Sequence, residues 1–165
     1  MKATATKLLA HVGFWLATIV LIATIWTMYD ASNKGYQSSQ WVAHTQDVLQ
    51  GLAEISAAAS RSESAQRGYL LTGNTQFAVD RDAALARENE AVARMAQLIV
   101  DNPTQKLRLA QLEKLVAARL NIMMENAELR QMQGIEIAQS RVSSGNGQRA
   151  SAAIYELAAE MAAEE

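Results

Sequence analysis

The chain has no cysteine, which excludes disulfides, thiol nucleophiles and cysteine-ligated metal sites. Proline occurs once, and only 5% of the residues are aromatic. So few chain breakers and strand formers exclude an all-β sandwich or barrel, which needs frequent turns and β-branched runs. Neither sign of charge dominates. Fifteen basic and 17 acidic side chains leave a net charge of −2, and a pI near 5.7 carries no basic surface for nucleic acid. What remains is 50% hydrophobic and rich in Ala, Leu, Met, Glu, Gln and Arg, which favour helix. At 165 residues the chain has length for one domain rather than two. Composition points to an all-α protein.

One long apolar run stands out. Residues 8–28 read LLAHVGFWLATIVLIATIWTM, with no charge beside a neutral His11. At about 1.5 Å per residue the run matches the roughly 30 Å hydrocarbon core of a bilayer. It exceeds the apolar core of a signal peptide, about 7–15 residues, and no small-x-small cleavage pattern follows Trp26. The run therefore reads as an uncleaved transmembrane helix. Trp26 and Tyr29 fall where interfacial aromatics gather. Lys2 and Lys7 flank one end, against Asp30 and Lys34 at the other, so residues 1–7 form a cytoplasmic tip. After a juxtamembrane segment, 29–37, the rest lies outside the inner membrane, in extracytoplasmic or periplasmic space. His11 reads as a neutral residue near the cytoplasmic interface.

Beyond residue 37 the punctuation is sparse. Gly73 suits the left-handed position after a helix, with Asn74 or Thr75 capping the next. Asn102, Pro103 and Gln105 read as an N-cap, a first-turn proline and a capping-box partner. Residues 143–147, SSGNG, read as a loop. The expected helices are 38–71, 75–101, 103–142 and 148–165. From Trp41 through Thr45, Val48, Leu52, Ile55, Ala59, Ser62 and Gln66 to Tyr69, apolar and small residues alternate in steps of four and three. That is the seam of helices crossing at a shallow angle. Leu85, Val92 and Ile99, then Leu109, Leu112, Val116 and Met123, then Ile154, Leu157 and Met161 continue the pattern. Short turns make neighbours antiparallel, so an up-down-up-down four-helix bundle is expected. Its fourth helix reads as truncated: a longer parent is expected to continue it and then cross the membrane a second time.

Few residues suggest chemistry. The methionines read as core fillers. His44 has no partner at i±3 or i±4 to complete a metal site. Asp80 with Asp82, and Glu88 with Glu90, point apart on a helix, and Arg81, Arg87 and Arg94 among them suggest a solvated face. Arg119, Glu125, Asn126 and Glu128 interrupt the third apolar stripe. They either fix register or mark a cavity from inside, or lie on the outer face. With no catalytic constellation, metal cluster or phosphate-cradling loop, the chain reads as non-enzymatic and cofactor-free, any enzymatic output lying in a C-terminal part beyond it.

Trp41-Val42-Ala43-His44-Thr45 with Val48-Leu49, and above all Arg67-Gly68-Tyr69-Leu70-Leu71-Thr72-Gly73, resemble the third class of CHASE domains. Asp101-Asn102-Pro103-Thr104-Gln105 and the closing Met161-Ala162-Ala163-Glu164-Glu165 extend the likeness over about residues 36–165. The resemblance implies an extracytoplasmic sensory module of bacterial histidine kinases and diguanylate cyclases, set between two membrane helices. It implies no ligand. The Arg67–Gly73 stretch has two readings. It ends a helix, with Leu70 and Leu71 pinning the bend and Glu63 pairing with Arg67 at i,i+4. Or Arg67, with Gln66 and Tyr69, binds an anion at the membrane-distal end.

The expected function is therefore a membrane-anchored input module that relays a stimulus by helix rearrangement. Gly51, Gly68 and Gly134, inside expected helices, either loosen the packing for such a change or simply admit close contact. The alternative is an anchored docking bundle that does not signal. Expected partners are the lipid bilayer, a second copy in a homodimer, and a small-molecule or protein ligand outside the cytoplasm, with no nucleic acid.

Overall fold

A computed structural model describes the backbone of residues 2–165, and side chains at 13, 15, 16, 18–30 and 32 and from 40 onward. The side chains of Lys2, Lys7, His11 and Lys34 lie outside the described residues. The described residues form five helices: α1 (Lys2–Thr72), α2 (Thr75–Leu98), α3 (Pro103–Gln133), α4 (Ile135–Ser143) and α5 (Asn146–Ala163). Among the described residues there is no strand.

The chain divides into two units, Met1–Ala43 and His44–Glu165. In the first, Trp15, Leu16, Ile19, Val20, Ile22, Ile25 and Trp26 are all exposed. Among the described residues no helix is long and apolar enough to cross a membrane. The run 8–28 includes positions 8–12, 14 and 17, whose side chains are outside the described set. Trp41, at the head of the expected seam, also belongs to this unit and is exposed.

In the second unit the turns explain the helix ends. Asn74 accepts a hydrogen bond from the Gln76 N–H (2.9 Å), and Asn102 from the Gln105 N–H (3.2 Å), each capping the helix that follows. Gly73 has φ 72°, and the Arg130 guanidinium lies 2.9 Å from where a β-carbon would stand. The Gln105 side chain does not close a capping box. It is buried, and its Nε2 donates to the Met161 carbonyl (2.9 Å), tying the start of α3 to the end of α5.

The expected helix 103–142 is two helices. Gly134 has φ 87° and ψ −170°, a conformation that costs glycine least, and the chain leaves α3 there. Turning away lets α4 bury Ala138 over Tyr69, Leu70 and Ala127, with Val142 and Phe77 packed alongside. The expected loop 143–147 shrinks to a turn. Gly145 (φ 71°) only breaks the helix, because the chain has already reversed at Gly134, and α5 begins at Asn146 rather than at 148.

Hydrogen bonds fix the topology of this unit. Gln66 to Met123, Arg119 to Ala59 and Arg130 to Leu70 join residues 57, 60 and 60 apart, so α1 and α3 run parallel. Between α1 and α2 the separation falls from 40 (Glu54 with Arg94) to 15 (Gln66 with Arg81) towards the turn, so they run antiparallel. Arg141 of α4 meets Glu125, and Met161 of α5 meets Gln105, so both helices run antiparallel to α3. The result is an up-down-up-down bundle whose descending fourth member is α4 followed by α5. Its core takes Val48, Leu52, Ile55 and Ala59 from α1, Val92 and Met95 from α2, Leu109, Leu112 and Val116 from α3, and Ile154, Leu157 and Met161 from α5. Thus the expected seam holds from Val48 onward. Met95, Met123 and Met161 fill core space, whereas Met124 and Met132 are exposed. Gly51 and Gly68 admit close contact: an added β-carbon would stand 2.8 Å from the Met95 methyl and 2.7 Å from the Phe77 ring.

A polar interior and a cleft beside it

Towards the Gly73 end the seam positions turn polar. Ser62 and Gln66 of α1, Arg81 and Glu88 of α2, Arg119 of α3 and Ser151 of α5 are all buried. This corrects the reading of Arg81 and Glu88 as a solvated face. The two are seven residues apart, and Met95 lies seven further on, so they occupy the stripe that carries the core. Asp80, Asp82 and Glu90 do face outward. Of the four polar residues that interrupt the third stripe, Arg119 is interior, Asn126 half-buried, and Glu125 and Glu128 exposed.

Arg119 and Glu88 are both 0% exposed and form an ion pair across α3 and α2. Arg119 Nη1 also donates to the Ala59 carbonyl of α1 (2.9 Å), an oxygen that accepts from Ser62 Oγ as well (2.9 Å). Burial pushes the Glu88 carboxyl above the ordinary carboxylate range, and the Arg119 charge opposes that rise. Glu88 Oε1, Arg119 Nε and Ser151 Oγ have no hydrogen-bond partner among the described residues. Tyr155, on the turn after Ser151, is also pushed above its usual range, first by burial and then by the charge of Glu63.

One heptad nearer the turn, Gln66 spans three helices. Its Nε2 donates to the Met123 carbonyl of α3 (2.8 Å), and its Oε1 accepts from Arg81 Nη1 of α2 (3.0 Å). Arg130 Nε donates to the Leu70 carbonyl (3.0 Å), one of the last acceptors of α1, where a cation also meets the negative helix end.

Beside this interior lies a cavity of about 300 Å³. Glu63, Gln66, Arg67 and Leu70 line it from α1, and Ile122, Met123 and Asn126 from α3. Arg141 and Val142 of α4 and Gly147 and Gln148 of α5 complete it. Arg67 is half-exposed and paired with Glu63, the helix-surface ion pair that the spacing suggested. Arg141 stands 3.4 Å from Glu125. The structure thus brings Arg67 and Gln66 to one cleft. Tyr69 lies elsewhere, buried in the cluster under α4, its hydroxyl accepting from Gln131 (3.2 Å). Sequence reasoning missed Arg141 and Gln148. Neither belongs to a motif, and both reach the cleft only because the chain turns at Gly134 and Gly145. His44 is half-buried, and no group of three His, Asp or Glu side chains gathers as a metal site among the described residues.

Comparison with known proteins agrees with this architecture. The family model described as the CHASE3 domain matches residues 38–165. The crystal structure of the Rhodopseudomonas palustris histidine kinase HK9 sensor domain superposes with a TM-score of 0.64 at 20% sequence identity. The match covers 70% of this chain and 91% of that one. No curated protein matches the chain.

Proposed function

The chain belongs to the CHASE3 domain family, a family of sensory modules, and from that membership we propose that it is the membrane-anchored, extracytoplasmic input module of a bacterial receptor. The output is of histidine kinase or diguanylate cyclase type, and this chain itself is non-enzymatic. The observation that carries the reading is the family match over the whole bundle, supported by the shared fold of a kinase sensor domain. Exposed apolar side chains all round residues 15–29 support the anchor, because a helix apolar on every side belongs in a core or a bilayer. Met124, Met132, Ile135 and Ile137 stand exposed on the second unit and support a homodimer. The polar interior favours sensing over passive docking. Buried ion pairs and amide bonds exchange partners in discrete steps, which a two-state input needs and a docking surface does not.

Alkaline phosphatase fused after Glu165 tests the anchor and its orientation in bacterial cells. The expected result is an active reporter that stays with the membranes through a carbonate wash. An inactive reporter, or one released by the wash, overturns the proposal.

A further inference from the structure

We propose that the cleft between α1, α3, α4 and the start of α5 binds a small carboxylate with an apolar body, held between Arg67 and Arg141. The inference rests on the sensory reading and assigns its stimulus.

The cleft has a floor and a charged mouth. Leu70, Ile122, Met123 and Val142 supply aliphatic and thioether surface, while Arg67 and Arg141 supply two guanidinium forks from different helices. Asn126 and Gln148 add amide donors. Each arginine has one acidic partner, Glu63 in the lining and Glu125 beside it, so a carboxylate would bind by taking the place of these partners rather than through a net charge. Neither arginine is locked away. Both side chains are about half-exposed, at 50% and 44%, and Arg141 meets its own partner only at 3.4 Å. Such solvent-screened pairs are worth little, so an arriving carboxylate displaces them readily and gains charge-assisted, two-pronged hydrogen bonds.

Volume narrows the class. About 300 Å³ is at the small end of ligand sites, room for one ring or a short chain and too little for a nucleotide or a peptide. The floor narrows it further, because acetate and phosphate leave the apolar surface unused. Binding would also be felt beyond the cleft. Arg67 is on α1 and Arg141 on α4, a nine-residue helix bounded by Gly134 and Gly145, both at positive φ. A ligand bridging the two arginines draws α4 towards α1, next to Gln66, whose amide holds α2 and α3.

Titration calorimetry on the full chain in detergent micelles tests this, with benzoate, hexanoate, acetate and inorganic phosphate as probes. Benzoate and hexanoate are expected to bind, and acetate and phosphate at least about tenfold more weakly. Arg67→Gln and Arg141→Gln should each weaken benzoate binding by about tenfold or more, the loss of one charge-assisted bond. Arg94→Gln, outside the cleft on the α1–α2 surface, should leave it unchanged. Arg141→Lys keeps the charge but not the fork and should fall between. Absence of benzoate and hexanoate binding overturns the proposal. So does equal affinity for acetate, or affinity indifferent to both arginine replacements in variants that keep the wild-type circular dichroism. If binding fails while the reporter fusion remains exported and membrane-bound, the ligand assignment alone falls. A cytoplasmic reporter removes the sensory reading and leaves any measured binding in place.

Discussion

Replacing Glu88 with leucine isolates the energetics of the polar interior. In the native bundle the Arg119 guanidinium has no exposure and is held by the Glu88 carboxylate and the Ala59 carbonyl. Glu88→Leu leaves a full positive charge inside, with one neutral acceptor among the described residues. Breaking a buried pair from one side costs about 3–5 kcal/mol, because the remaining charge keeps its desolvation penalty and loses its partner. Set against a total stability of about 5–15 kcal/mol, that is about a fifth or more of what holds such a domain folded. The double replacement Glu88→Leu with Arg119→Met removes both charges and refills the space with apolar volume. It should return stability to within about 1 kcal/mol of wild type or above it, since apolar replacement of a whole buried pair is often neutral or stabilising. Urea melts of the full chain in micelles, followed by far-ultraviolet circular dichroism, give all three values. A harmless single replacement, or a double as damaging as the single, refutes the account of Arg119 as a charge that needs its partner.

Two further outcomes follow from the same interior. Glu88 has a raised folded-state pKa, so its contribution to stability is complete below the ordinary value of 4.5 and is lost as pH rises through the folded value. Glu54, held low by its bonds from Gln50 and Arg94, acts oppositely: its contribution is present above 4.5 and lost as pH falls through its own folded value. Comparing melts across pH, Glu88→Gln should remove the loss on the rising side and leave the loss on acidification, and an unchanged profile would refute the assignment. At Gly68, alanine gains about 1 kcal/mol of helix propensity, but its β-carbon meets the Phe77 ring at 2.7–2.9 Å. Overpacking of this kind costs about 1–3 kcal/mol, so Gly68→Ala should lower stability and Phe77→Leu beside it should restore part of the loss; a stabilised single variant would sink the argument.

The apolar half of the bundle was legible in the sequence, and the polar half was not. Val48, Leu52, Ile55, Ala59, Ser62, Gln66 and Tyr69 announce their buried face through spacing alone, and all are buried. Asn74 and Asn102 announce their caps through residue type, and both accept the expected bonds. Arg81 and Glu88 did not announce themselves, because hydrophobicity marks a core position only when the residue is apolar. Their seven-residue step to Met95 was the available signal, and charge masked it. The break at Gly134 was hidden for another reason. A glycine inside a long helical pattern costs about 1 kcal/mol and is often tolerated. What makes it a break here is the burial of Ala138 against Tyr69, Leu70 and Ala127, contacts that local pattern does not contain. Half of the candidate cleft depends on that turn. Arg67 and Gln66 could be nominated from their motif, while Arg141 and Gln148 follow only once α4 has folded back.

The placement of the polar residues bears on how an input could travel. The Pro103 half of the core is built mainly of Leu, Ile, Val and Met around the single buried amide of Gln105, and such close packing resists rearrangement. The Gly73 half is held by bonds that have alternatives. Among the described residues Glu88 has a second carboxylate oxygen without a partner, Arg119 an unpartnered Nε, and Ser151 an unbonded hydroxyl. Moving one such bond changes the energy by about 0.5–3 kcal/mol, the upper part for the charged partners, within reach of binding energy and discrete enough to define two states. Gln66 joins the cleft wall to this set, with bonds to α2 and α3 from a single side chain on α1. A ligand that shifts Arg67 by a fraction of an ångström therefore acts one residue away from a contact shared by three helices. On the proposed reading, the mainly apolar half then carries the change as a rigid body, because its close packing resists rearrangement.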